Sequence, residues 1–217
     1  FTETLARIPY CMVCYSPPAN IPDVGALPAR LADGCITFGS FNNIAKLSPS
    51  CIKNWARILS EFPKSRLMLK AKGFSSSDTQ ARLVAQFQLL GIGADRLLLR
   101  PTSSDHLKQY TEEVDIALDT FPYSSPTTAC EALLMGVPVV CLAGTTHCSR
   151  RALTIVVALG LRETLVASSC EDYVQKALAL ARDLSSLEEL RSKLRSTMMA
   201  SPLCDGQNFV RERLEPL

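Results

Sequence analysis

From Cys35 onward, short apolar runs alternate strictly with longer segments of helical periodicity. CITFG (35–39), RLMLKA (66–71), RLLLRP (96–101), DIALD (115–119), PVVCLA (138–143) and TLVAS (164–168) are rich in Leu, Ile and Val and too short for core helices, so they read as strands. Between them lie helix-like segments over 47–62, 76–91, 104–114, 126–136 and 147–161. In the first, Ser48 stands as N-cap and Pro49 at the first helical position, and Ile52, Trp55, Ala56, Leu59 and Phe62 share one face. Gly91 and Gly136 sit where two of these helices should close. Past residue 168 the pattern is helical only, over 170–182, 184–199 and 205–216. Continuous apolar strands separated by helices call for a parallel sheet covered on both faces. Right-handed crossovers then wind it doubly, most simply in the order 3-2-1-4-5-6. The expected fold class is α/β, a doubly wound, Rossmann-like parallel sheet.

The rest of the chain bounds this reading. Residues 16–33 hold four of the 13 prolines and read as an extended linker, and residues 1–15 read as the tail of something else. The domain expectation is therefore 1–33 as tail and linker and 34–217 as the Rossmann-like domain with C-terminal helices. Because it starts at Phe1, the chain is expected to be a fragment. With 23 Lys+Arg against 21 Asp+Glu, the net charge of +2 argues for neither a nucleic acid nor an anionic membrane as partner. No apolar run reaches the length of a membrane span, and no signal-peptide pattern opens the chain. Nine cysteines, an odd number scattered through apolar runs, fit a reduced, cytosolic protein that uses them as small hydrophobes. Cys11 and Cys14 form one CMVC pair, with no second pair and only His106 and His147 beside it, so no metal site is expected.

Ligands of open parallel sheets bind at the carboxyl ends of strands, where the strand order reverses. In the expected order that point lies between strands 1 and 4, which sets GSFNNIAKLSP (39–49) opposite TFPYSSPTTACE (120–131). In the second loop Ser125 can be an N-cap and Pro126 the first helical residue, which places Thr127 and Thr128 at the second and third positions. Unpaired N–H groups and hydroxyls there suit an anion such as a diphosphate. Glu131, one turn further, suits ribose hydroxyls. The other loop offers Asn43 and Lys46, and LKAKG adds Lys70 and Lys72 near the same rim. Taken singly, each also has a plain reading as helix start, turn or surface charge. No GxGxxG, P-loop or Ser-His-Asp pattern is present.

The stretches ITFGSFNNIAKLSP, LDTFPYSSPTTACEALLMGVPVV and MMASPLCDG resemble the C-terminal catalytic half of the O-GlcNAc transferase family, most closely its SPINDLY-type branch. The resemblance runs in order over essentially the whole chain. It implies the C-terminal domain of a GT-B glycosyltransferase, preceded in the full protein by tetratricopeptide repeats that engage acceptor proteins. It implies inverting transfer of a sugar to Ser or Thr hydroxyls of intracellular proteins, cytoplasmic or nuclear, with UDP-GlcNAc as donor or GDP-fucose as the alternative, and no cofactor or metal. By similarity, Asn43 and Lys46 match donor-contacting positions, Lys46 neutralising the leaving diphosphate. Thr127 and Thr128 match phosphate-binding threonines, Glu131 a ribose-binding acid and His106 a histidine beside the base. His147 and Arg150 match an H-x-x-R pattern.

One departure stands out. SSPTT replaces the family's usual NGTTTT or NGHTT, so Pro126 takes the place of a polar residue and Ser124 and Ser125 those of Asn and Gly. Two alternatives stay open at this point: a non-catalytic nucleotide-sugar-binding module, and another GT-B enzyme such as a nucleotide-sugar epimerase. A fragment of this length is expected to bind donor weakly and not to catalyse alone.

Overall fold

The computed structural model describes residues 11–213. Six strands form one sheet: β1 (Ile36–Ser40), β2 (Ser65–Lys70), β3 (Leu97–Arg100), β4 (Ile116–Leu118), β5 (Val139–Leu142) and β6 (Val166–Ala167). Their order is β3-β2-β1-β4-β5-β6, and every pairing is parallel. The expected doubly wound topology is the observed one, with its reversal between β1 and β4.

The helices are α1 (Pro28–Leu31), α2 (Pro49–Glu61), α3 (Ser77–Gln88), α4 (His106–Glu113), α5 (Pro126–Leu134), α6 (Arg151–Ala158), α7 (Arg162–Leu165), α8 (Cys170–Arg182), α9 (Leu184–Met199) and α10 (Gly206–Arg213). Their starts follow local chemistry. The Ser48 hydroxyl accepts the Cys51 N–H at the head of α2, and the hydroxyls of Ser76 and Ser169 do the same for α3 and α8.

Side chains alternate across the sheet with the two-residue period of a strand. Leu67, Leu69, Ile116, Leu118 and Val140 face a core with Trp55 and Ile58 of α2, Phe87 of α3 and Tyr173 of α8. Met68, Ala117, Val139 and Cys141 face the opposite core, filled by α5, α6 and α9. Gly39 in β1 has a packing reason: a Cβ there would lie 2.7 Å from the Val114 side chain.

Three expectations need correction. The linker is not extended throughout. Pro28–Leu31 is a helical turn, because Asp115, fully buried at the foot of β4, accepts the Ala29 N–H at 2.8 Å together with the Thr37 N–H at 2.8 Å. The last strand is only Val166–Ala167, because Thr164 and Leu165 belong to α7 and leave too little extended chain to pair with β5. The segment 147–161 splits into a 3-10 turn at His147–Ser149 and α6, since the Thr146 and Ser149 side chains close a capping box on the turn. Residues 1–10 and 214–217, which hold most of the expected tail and the end of the last helix, lie outside the described residues.

Arg191 of α9 ties the linker to the C-terminal end of α4. Its buried guanidinium donates to the carbonyls of Gly25, Val114 and Thr111 and to the Thr111 hydroxyl. Among the described residues no helix is long and apolar enough to cross a membrane, and no group of His, Cys, Asp or Glu is placed to hold a metal ion.

Candidate functional site

The crevice lies at the carboxyl ends of β1 and β4, as the strand order requires. After β1 the chain turns through Phe41 and Asn42 into a 3-10 turn, Ile44–Lys46. After β4 it runs through Asp119 and a cis Phe121–Pro122 peptide to the start of α5. The Ser48 hydroxyl donates to the Phe121 carbonyl at 2.6 Å, and Cys51 both donates to that carbonyl and accepts the Phe121 N–H. The head of α2 thus clamps the second loop in place.

Lys46 crosses the crevice. Its ammonium donates to the Ser125 hydroxyl and lies 4.7 Å from the centre of the Tyr123 ring. Burial lowers its pKa from the ordinary lysine value, Asp119 opposes that shift and Arg151 adds to it. Pro126 is at the first helical position of α5, as expected. Ser125 occupies the cap position, but its hydroxyl does not cap the helix, because it accepts from Lys46 instead. The first helix bond of α5 runs from the Ala129 N–H to the Ser125 carbonyl, so the N–H groups of Thr127 and Thr128 are left at the open end. Thr127 is exposed there. The Thr128 hydroxyl donates to Asn42 Oδ1 at 3.2 Å, which joins the two loops directly.

The remaining expected residues fall in different places. His106 Nε2 and Glu131 Oε1 are 3.3 Å apart, so these two stand together on the α4–α5 side of the crevice. Asn43 caps its own turn, its Oδ1 accepting the Ala45 N–H, and it is the buried Asn42 that spans the crevice. Lys70 is buried and donates to Ser103 and Gln109, with the Phe41 ring 5.4 Å away and Phe41 stacked on Tyr110. It sits one strand away from the Lys46 cluster. Lys72 is exposed on the turn Lys72–Ser75, and His147 is exposed on the turn before α6. Arg150 closes its own loop by donating to the Gly144 carbonyl at 2.9 Å.

Two residues absent from the sequence reading complete the crevice. Arg151 donates to the Tyr123 hydroxyl at 3.0 Å, and its guanidinium lies 5.1 Å from that ring. Tyr123 is therefore flanked by two cations, and the buried Nε of Arg151 has no partner among the described residues. Asp119 is the other. Burial drives its carboxyl up to about 7, against hydrogen bonds from Ser124, Ser125 and Thr120 and the charge of Lys46. A strand-terminal Asp and an Arg beside another Arg carry no local signal, and only the assembled loops single them out.

The profile of glycosyl transferase family 41 matches residues 24–213. A tomato protein, named as a probable UDP-N-acetylglucosamine–peptide N-acetylglucosaminyltransferase SPINDLY, is 43% identical over 212 residues, covering 96% of this chain and 22% of its own length. Its Arabidopsis thaliana counterpart is 41% identical over 210 residues, with 95% and 23% covered. The Arabidopsis protein of the same kind named SEC is 27% identical over 220 residues. Among solved structures, a mutant of Thermobaculum terrenum O-GlcNAc transferase superposes with a TM-score of 0.81 at 38% identity, covering 92% of this chain and 37% of that one. An Anabaena protein solved with UDP and glucose shares the fold at 17% identity and a TM-score of 0.61, covering 87% and 51%. The chain thus spans under a quarter of the length of the curated relatives it matches.

Proposed function

The chain belongs to glycosyl transferase family 41, and from that premise we propose that its crevice is the nucleotide-sugar donor site of a protein O-glycosyltransferase. The observation that carries this reading is the convergence of Lys46 with the open N-terminus of α5. A cation and free N–H donors meet there, and a diphosphate needs both. Exchanging Ser125 for a phosphate oxygen would replace a hydrogen bond from the Lys46 ammonium to a neutral hydroxyl with one to an anionic oxygen, in which both partners are charged.

In the proposed reaction an acceptor Ser or Thr hydroxyl attacks the anomeric carbon of the donor sugar, the bond from that carbon to the diphosphate oxygen breaks with inversion, and the hydroxyl proton is released to solvent. Charge grows on the departing diphosphate, where Lys46 and the Thr127 and Thr128 N–H groups are preorganised to meet it. Glu131, beside His106, is placed to accept from ribose hydroxyls, with the base toward α4. The proposed donor is UDP-N-acetylglucosamine, supported by the activity written into the names of the tomato and Arabidopsis relatives. Acceptor selection, and the tetratricopeptide repeats that the family resemblance implies, are assigned to sequence outside these 217 residues, and the proposed setting is cytoplasmic or nuclear.

A thermal-shift titration with UDP and with GDP tests this. A ligand at about a hundred times its Kd stabilises the native state by about 2.7 kcal/mol. UDP should raise the Tm of the wild type and leave that of Lys46→Ala unmoved. A shift with GDP in place of UDP would transfer the reading to GDP-fucose, and a shift that survives in Lys46→Ala would remove Lys46 from the site.

A further inference from the structure

The buried acid at the end of β4 organises the turn before α5 and, through Ser124, the head of α6. Asp119 Oδ2 accepts the Ser124 hydroxyl at 2.6 Å, and Oδ1 accepts the Ser125 N–H at 3.1 Å. The Ser124 oxygen accepts in turn the Ala152 N–H, at 2.8 Å, from the first turn of α6. One carboxylate therefore ties β4, the turn before α5 and the head of α6 together. The same turn presents the Ser125 hydroxyl to Lys46.

We propose that Asp119 is a positioning residue for the donor diphosphate, acting through Lys46 and the Ser124–Ser125 turn without touching the ligand. The proposal rests on the reading of this crevice as the diphosphate site. The groups that face Asp119 are Lys46 from the turn after β1, Cys51 from α2, Tyr110 from α4, Cys141 from β5 and Tyr173 from α8. Burial pushes both thiols and both phenols up, so they stay neutral near neutral pH, and Lys46 is the charged partner. Arg151 of α6 lies against Tyr123 and adds like charge near Lys46.

This arrangement couples ligand and proton. A diphosphate at Lys46 draws the ammonium toward itself and adds like charge near Asp119. Both effects favour protonation of a carboxyl already raised to about 7. Donor binding should take up a proton, and affinity should fall as pH rises above about 7.

The test measures the affinity of UDP-N-acetylglucosamine and of GDP-fucose by calorimetry between about pH 5.5 and about pH 8.5. These diphosphate diesters do not themselves titrate in that window. The wild type should lose about tenfold in affinity across it, equal to about 1.4 kcal/mol. Proton uptake should appear as a dependence of the heat on the buffer. Asp119→Asn should bind with the low-pH affinity of the wild type at every pH. Ser124→Ala removes a hydroxyl that stabilises the carboxylate, so it should move the midpoint to higher pH. It decides the matter alone if Asp119→Asn does not fold. Equal slopes in wild type and Asp119→Asn, or an unmoved midpoint in Ser124→Ala, would overturn the role of Asp119 while leaving the donor site standing. No binding of either donor at any pH would remove the donor site, and this proposal with it.

Discussion

Asp119 also makes a prediction about the protein without any ligand. In the unfolded chain its carboxyl titrates near the ordinary 3.8, and in the fold burial raises it to about 7. Below about pH 4 the group is protonated in both states and costs nothing. Between about pH 4 and about pH 7 the folded state holds a proton that the unfolded state has released, so stability falls as pH rises. Above about pH 7 the cost is complete and constant. At about 1.4 kcal/mol per pH unit, the gap between the two values corresponds to about 4 kcal/mol. Asp119→Asn cannot titrate, and its amide can still accept from Ser125 and meet Ser124. The assay is urea unfolding at about pH 4.5 and about pH 8, followed by the fluorescence of Trp55. Trp55 is the chain's single tryptophan, fully buried, with its indole N–H 3.1 Å from the Tyr173 hydroxyl. Other carboxyls, Asp115 among them, titrate alike in both proteins and cancel in the comparison. The wild type should lose several kcal/mol more than the variant on going to high pH. Stability curves that stay parallel within about 0.5 kcal/mol would refute the claim that this carboxylate is ionised at a cost.

Other outcomes follow from the same contacts. Arg191→Met keeps the stem but strips hydrogen bonds from the carbonyls of Gly25, Val114 and Thr111, and should destabilise in denaturant unfolding by about 1 to 3 kcal/mol for each carbonyl left unpaired. Gly136→Ala should destabilise by well over about 1 kcal/mol, because φ is +76° and a Cβ would stand 2.6 Å from Val24 and 3.1 Å from the Arg191 carbonyl; an unchanged Tm would contradict that geometry. Lys46→Met should leave the Tm of the free protein within a few degrees of wild type, since burial already disfavours its charge, while abolishing the nucleotide-dependent shift.

What the sequence determined by itself was whatever rests on local periodicity and local capping. Strand and helix alternation follows from the spacing of apolar residues along a few turns of chain. The start of α2 follows from Ser48 and Pro49, and the simplest right-handed double winding of the strands sets the Lys46 loop opposite the α5 start, as the sheet does. The sequence was silent, or in the linker misleading, where a distant group decided a local arrangement. The turn at Pro28–Leu31 is held by Asp115, 86 residues away from Ala29, and no pattern within the proline-rich stretch encodes it. Choosing Asn42 over Asn43 as the bridge depended on Thr128, 86 residues on. Arg151, and not Arg150, meets Tyr123 because of how α6 docks against the turn before α5. Asp119 is an unremarked strand-end residue until the sheet, α6 and the Lys46 loop close over it. Local sequence sets which elements form, because their stabilising contacts lie within a few residues. Burial and charge pairing arise between elements far apart in the chain, and those decide which side chains at the crevice carry chemistry.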